Sequence, residues 1–187
     1  MIALCIGHSR TINGRYDGGA FSPFLKRNER DFNLEVAALV VRSLDRMGEN
    51  CRIISDYKGA GYSAAMRDAA SQVKDIHASF AVEMHFNASS PSAHGHEWLY
   101  WHASANGKKL AQVFHDSFAE DFPGIKSRGL KPLSAGSRGS EFVELTHCPA
   151  ILVEPFFGSN ESDCSQITPT RVAESYSKAI LSTIRNR

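Results

Sequence analysis

Three apolar segments, far apart in the chain, each run into a residue that can ligate a metal or move a proton. Ile2-Ala3-Leu4-Cys5-Ile6 leads to Gly7-His8, Phe80-Ala81-Val82-Glu83-Met84 leads to His85, and Ala150-Ile151-Leu152-Val153 leads to Glu154. Open α/β sheets gather ligands and catalytic groups at the carboxyl ends of their strands. Two histidines and a carboxylate delivered in that way point to metal-dependent hydrolysis. A single histidine after a strand is usually an ordinary hydrogen-bonded residue. Two in one parallel sheet strengthen each other, because neighbouring strand ends converge.

A catalytic zinc ion takes three protein ligands and keeps one position for water, so a third ligand is needed. Glu29 lies just before the first helical pattern and Glu35 lies within it. A carboxylate at the helix start reaches the strand ends more easily than one a turn and a half further on, where a solvated helix face is the ordinary fate. Glu154 closes the most apolar strand, where an ionised carboxylate is costly without a partner. It is either half of a buried ion pair with an arginine or a general base beside a metal-bound water, the arrangement amide hydrolysis requires.

The elements that must position these residues alternate. Strands are expected at Ile2–Ile6, Arg52–Ser55, Ser79–His85, Glu97–Trp101 and Ile151–Glu154, and helices at Asp31–Met47, Ser63–Lys74, Gly107–Phe122 and Pro169–Ile184. Leu34, Ala37, Ala38, Val41 and Leu44 recur at helical spacing and predict the apolar face of the first helix. Gly48 is a stop signal after it, and Thr168-Pro169 is a start signal for the last helix. Alternation of this kind implies a single α/β domain: a twisted, mostly parallel sheet flanked by helices on both faces, with the site at the strand carboxyl ends. Two segments interrupt it, Ser9–Asn28 with Gly14, Gly18 and Gly19, and Pro123–Ser140 with Arg128, Lys131 and Arg138. Both read as long loops walling the site. The three basic residues are either solvated or placed to meet carboxylates of a substrate. Glu141 and Glu144 read as surface residues, and His94 and His96 as loop or surface residues rather than ligands.

The 187 residues fit one domain, with no second domain expected before or after. A formal net charge of +1 creates no strong field and argues against nucleic acid as a partner. Cys5, Cys51, Cys148 and Cys164 form no C-x-x-C pair, which suits a reducing compartment, and Cys5 and Cys51 lie in apolar runs that read as buried. The first residues lack a basic leader and read as a strand, so synthesis in the cytoplasm without a signal peptide is expected. No apolar run reaches membrane-spanning length, and a monomer without stable membrane association is expected.

Four segments together resemble the zinc-dependent N-acetylmuramoyl-L-alanine amidases of the amidase-3 type. They are Gly7-His8 with Asp17-Gly18-Gly19-Ala20, then Glu29-Arg30-Asp31-Phe32-Asn33-Leu34, then His85-Phe86-Asn87-Ala88, then Leu152-Val153-Glu154-Pro155-Phe156-Phe157-Gly158-Ser159-Asn160. They fall in the family's order and span nearly the whole chain. The resemblance implies one zinc ion on His8, Glu29 and His85, and so decides for Glu29 over Glu35. It implies Glu154 as the catalytic residue, with Asn87 a candidate contact to substrate or oxyanion. The implied reaction is hydrolysis of the amide between N-acetylmuramic acid and L-alanine in peptidoglycan. A phage lysis enzyme (an endolysin) released to the host periplasm is the expected setting. A wall-remodelling bacterial amidase, a zinc peptidase for soluble peptides and a catalytically silent wall-binding module are the alternatives. The chain departs from the family at Cys5, where members often carry Asp, at Ile54-Ser55-Asp56 after the second strand, and in the Ser9–Asn28 loop.

Overall fold

A computed structural model of the chain describes residues 1–12 and 15–186; Gly14 lies outside the described residues. The chain opens with β1 (Ile2–Ile6), followed by two small hairpins, β2 (Thr11–Ile12) with β3 (Arg15–Tyr16) and β4 (Phe21–Ser22) with β5 (Arg27–Asn28). Next come α1 (Glu29–Asp45), β6 (Cys51–Ile54), α2 (Tyr62–Asp75), β7 (Phe80–Met84), β8 (His96–Trp101) and α3 (Ala105–Asp121). The remainder is β9 (Ser127–Leu133), α4 (Ser140–Leu145), β10 (Ala150–Glu154), α5 (Glu161–Cys164) and α6 (Pro169–Arg185).

Six strands form one sheet in the order β6-β1-β7-β10-β8-β9. The first four run parallel; β8 is antiparallel to β10, and β9 is parallel to β8. The expected mostly parallel α/β domain is therefore what the chain forms. The crossovers bring β1, β7 and β10 side by side, so their carboxyl ends share one rim.

Strand alternation divides the side chains between two apolar layers. Ile2, Leu4, Ile6, Phe80, Val82, Met84, Ile151 and Val153 pack under α1, α3 and α6. Ala3, Cys5, Ala81, Ala150 and Leu152 pack under α2 and α4. Both faces of the parallel strands are covered, which is why their sequences are apolar on both sides rather than alternating, apart from Glu83 in β7 and Arg52 in the edge strand β6.

Several local expectations shift. The first helix begins at Glu29, two residues before the expected Asp31, and its buried stripe is Phe32, Val36, Ala37, Val40 and Leu44. Leu34 and Val41 only flank the core, because the face that packs on the sheet is centred on Phe32, Val36 and Val40. The Pro123–Ser140 segment is not a loop throughout. It contains β9, whose glycine, lysine and proline mask a strand pattern because it is an edge strand with mostly exposed or half-buried residues. The Ser9–Asn28 segment likewise carries the two hairpins. Gly48 turns the chain after α1 at φ +79°, and the Thr168 side chain caps α6 by accepting from Arg171 N–H at 3.3 Å.

Candidate metal centre and cleft

The rim above β1, β7 and β10 holds His8, Glu29 and His85, whose ligating atoms all lie within 4.8 Å of one another. Each arrives by a different local device. His8 follows β1 by two residues and takes a left-handed backbone, φ +58°, unusual for a residue with a side chain. Tyr57 secures the turn on both sides: its hydroxyl donates to Ile6 C=O and accepts from Ser9 N–H, each at 3.0 Å. His85 leaves β7 with its backbone N–H still bound to Val153 C=O at 3.1 Å, so its position is inherited from the sheet. Glu29 is the first residue of α1, where a carboxylate is favoured by the helix dipole.

The carboxylate of Glu29 joins the two histidines. Oε1 lies 2.8 Å from His85 Nδ1 and accepts from Phe86 N–H at 3.2 Å. Oε2 lies 3.5 Å from His8 Nε2 and accepts from Ala20 N–H at 3.1 Å. Burial works against its charge, but the imidazoles and backbone donors outweigh it and hold the carboxyl below its ordinary range. His8 Nδ1, on the far side of its ring, lies 3.1 Å from Asp17 Oδ2. Two glycines make the close approach possible. A Cβ on Gly7 would stand 2.3 Å from His85 Cε1, and one on Gly19 would stand 2.7 Å from His8 Cδ2 and 2.8 Å from Glu29 Oε2.

Glu154 ends β10 beside this group. Its Oε2 is buried with no hydrogen-bond partner among the described residues. Burial pushes its carboxyl from the ordinary 4.5 up to about 8, opposed by His85 and reinforced by the negative charges of Glu29, Glu97 and Glu83. Glu97 faces Glu154 across the antiparallel β8–β10 pairing. It is held by Arg128 at 2.9 Å and accepts from Asn87 Nδ2 at 2.9 Å. These residues open into a cleft of about 670 Å³, which Tyr62, Leu99 and Gly136–Glu141 also line.

Comparison with known proteins bears on the family and the fold. Residues 2–186 match the Amidase_3 family, N-acetylmuramoyl-L-alanine amidase. The chain belongs to this amidase family. A curated relative, the N-acetylmuramoyl-L-alanine amidase LytC of Bacillus subtilis (strain 168), is 26% identical over 171 residues. That match covers 90% of this chain but 32% of the relative, so the chain spans about a third of that protein's length. Among solved structures, the catalytic domain of the amidase CwlV from Bacillus (Paenibacillus) polymyxa var. colistinus superposes with TM-score 0.78 at 23% identity, covering 100% of this chain and 99% of that one. The catalytic domain of an endolysin targeting Clostridia difficile superposes with TM-score 0.79 at 20% identity, covering 97% and 96%.

Within this Amidase_3 chain, the residues singled out by sequence fall as follows. His8, Glu29, His85, Asn87 and Glu154 all line the cleft. Glu35 points away and pairs with Arg27 at 2.8 Å. Arg128 is engaged by Glu97 and lies over the Phe157 ring, whereas Arg138 lines the cleft. Glu141, read as a surface residue, also lines the cleft and accepts from the Ser63 hydroxyl. His96, read as a loop or surface residue, is buried at the start of β8 and accepts from Trp98 Nε1 at 2.8 Å. The sequence reading missed Glu97, whose signal was an acid in a strand otherwise made of Trp98, Leu99, Tyr100 and Trp101 after His96. It also missed Asp163, a buried carboxylate accepting from Gly95 N–H at 2.8 Å and Phe157 N–H at 3.0 Å. Asp163 pins the segments following β7 and β10 to each other, and nothing in its local sequence foretells that.

The donor set suits a zinc ion. Two imidazoles and one carboxylate match its preference for mixed nitrogen and oxygen ligands with one position open. The two glycines cradle the rings where any Cβ would intrude. No helix among the described residues is long and apolar enough to cross a membrane.

Proposed function

We propose that this chain is a zinc-dependent peptidoglycan amidase that hydrolyses the bond between N-acetylmuramic acid and the L-alanine of the stem peptide. The observation carrying this reading is the placement of the Glu154 carboxyl, whose Oε2 is buried without a partner among the described residues, beside the His8–Glu29–His85 group at the rim of an open cleft. His8, Glu29 and His85 would hold the ion. When bound, zinc supplies Lewis-acid polarisation of the scissile carbonyl and lowers the pKa of water at the open position.

The protein groups divide the remaining work. Glu154 takes a proton from the attacking water at its carboxylate and returns one to the leaving L-alanine nitrogen. Burial and the surrounding acids make it hold that proton firmly. Divalent charge placed among His8, Glu29 and His85 favours the ionised form needed for the first transfer. Glu97 accepts one Asn87 amide hydrogen and leaves the other free for the developing oxyanion. Arg138, which also lines the cleft, offers a cation to a stem-peptide carboxylate. The open cleft suits a polymer passing through better than a closed pocket for a small peptide would.

The chain would supply the catalytic domain for wall hydrolysis, in phage lysis or in wall remodelling. The fold is shared with an endolysin domain and with bacterial amidases, which supports wall hydrolysis in either setting. Mass spectrometry of purified peptidoglycan digested by zinc-loaded and chelated protein tests the reaction. Free stem peptides beginning with L-alanine, released only with zinc, are expected. Shortened peptides still attached to sugar would overturn the assignment in favour of a zinc endopeptidase.

A further inference from the structure

Glu83 is a carboxylate in the interior of the sheet to which the mechanism above gives no task. It is only 2% exposed. On β7 it stands beside Cys5 of β1 and Leu152 of β10, in the apolar layer beneath α2 and α4. A carboxyl group there is costly without a hydrogen-bond partner. Oε2 has none among the described residues. Tyr57, near enough to feel this charge, already spends its hydroxyl on Ile6 and Ser9.

The other oxygen faces a group in the same condition. Glu83 Oε1 lies 3.4 Å from His85 Nε2, which is buried and makes no hydrogen bond among the described residues. The two residues are two apart in an extended segment and so share a face. The opposite ring nitrogen, Nδ1, points at Glu29 Oε1 and the space shared with His8.

We infer that Glu83 is a positioning residue for His85: it accepts the Nε2 proton and thereby leaves the Nδ1 lone pair for the cation. This rests on the reading of His8, Glu29 and His85 as a zinc site. A neutral imidazole has one ring proton, and the acceptor opposite a nitrogen decides which one keeps it. Glu83 is the acceptor on the Nε2 side. His8 has the corresponding partner in Asp17, on the ring nitrogen turned away from Glu29. Each histidine is thus backed by a carboxylate, one in a loop and one built into the sheet.

The test is zinc affinity by chelator competition, together with thermal denaturation of the metal-free protein, for wild type, Glu83→Leu and Glu83→Gln. Glu83→Leu is expected to weaken zinc binding about 10- to 100-fold while keeping or raising the metal-free Tm, since leucine suits an apolar layer. Glu83→Gln retains an acceptor oxygen and is expected to recover most of the loss. A purely structural role would lower Tm and affinity together and show no such rescue. Wild-type affinity in a folded Glu83→Leu protein overturns the inference and leaves the zinc site standing. Absence of stoichiometric zinc in wild type overturns the site itself, and this inference with it. Should Glu83→Leu not fold, 15N NMR of the zinc-loaded wild type decides: a slowly exchanging Nε2–H with a metal-shifted Nδ1 supports the role, and a protonated Nδ1 refutes it.

Discussion

Replacing Glu154 with glutamine should stabilise the metal-free protein, and the gain should grow with pH. Burial, then the neighbouring acids, move this carboxyl from 4.5 up to about 8 against the pull of His85. Below pH 4.5 the group is protonated in both folded and unfolded chains and nothing distinguishes them. Between 4.5 and 8 the folded protein keeps a proton that the unfolded chain has released, so stability falls as pH rises. Above 8 the full cost is present. At about 1.4 kcal/mol per pH unit, this amounts to about 5 kcal/mol at pH 9 and about 3 kcal/mol at pH 7. Both are upper bounds, because water in the cleft screens the charge. Glutamine has no charge to bury, and any packing cost of its amide is a constant offset. Urea denaturation of chelator-treated wild type and Glu154→Gln at pH 4.5, 7 and 9 measures the difference. A gap that stays constant across that range would refute the reasoning. The same variant, zinc-loaded, should lose about 10²- to 10⁴-fold in kcat on peptidoglycan, so that one substitution stabilises the protein and disables it.

His8→Ala and His85→Ala should each abolish stoichiometric zinc binding in equilibrium dialysis, while Glu35→Gln, which only breaks an exposed ion pair with Arg27, leaves it unchanged. Wild type with zinc at a hundred times Kd should gain about 2.7 kcal/mol in denaturant unfolding, a gain that excess chelator removes. Gly7→Ala drives a methyl group into the His85 ring and should lower zinc affinity in the same dialysis assay, with Gly61→Ala, which crowds no neighbour among the described residues, as the control. Asp163→Ala strands the buried N–H groups of Gly95 and Phe157 at about 1–3 kcal/mol each. Urea denaturation should show that loss.

The parts of the site legible in sequence were those attached to strand ends. A buried parallel strand is a continuous apolar run, and the residue that interrupts it at its carboxyl end stands out. His8, His85 and Glu154 each interrupt such a run. Glu29 was legible only through its neighbours, since Glu29 and Glu35 lie on one helix and spacing alone ranks them weakly. Strand β9 was hidden because an edge strand need not be apolar, and Gly129, Lys131 and Pro132 read as loop. Glu83 and Glu97 were hidden for another reason. A lone acid in a strand usually faces solvent, and only the assembled sheet shows that one lies against His85 and the other against Glu154. Cys5 marked a departure on the first strand, but its register beside Glu83 is a property of pairing between strands and appears in neither segment alone.

The strand hidden from sequence also limits what the sheet can become. An outer strand presents a row of unpaired backbone groups, which is an invitation to any other extended chain. In β9 that row is broken by Pro132, which has no N–H to offer, and bent by the irregular register opposite His96 and Trp98. Arg128 and Lys131 add charge along the same strand. At the other end β6 is four residues long and carries Arg52. Copies of this chain meeting edge to edge at high concentration therefore find a charged, kinked strand on one side and a stub on the other, and neither templates a seventh strand.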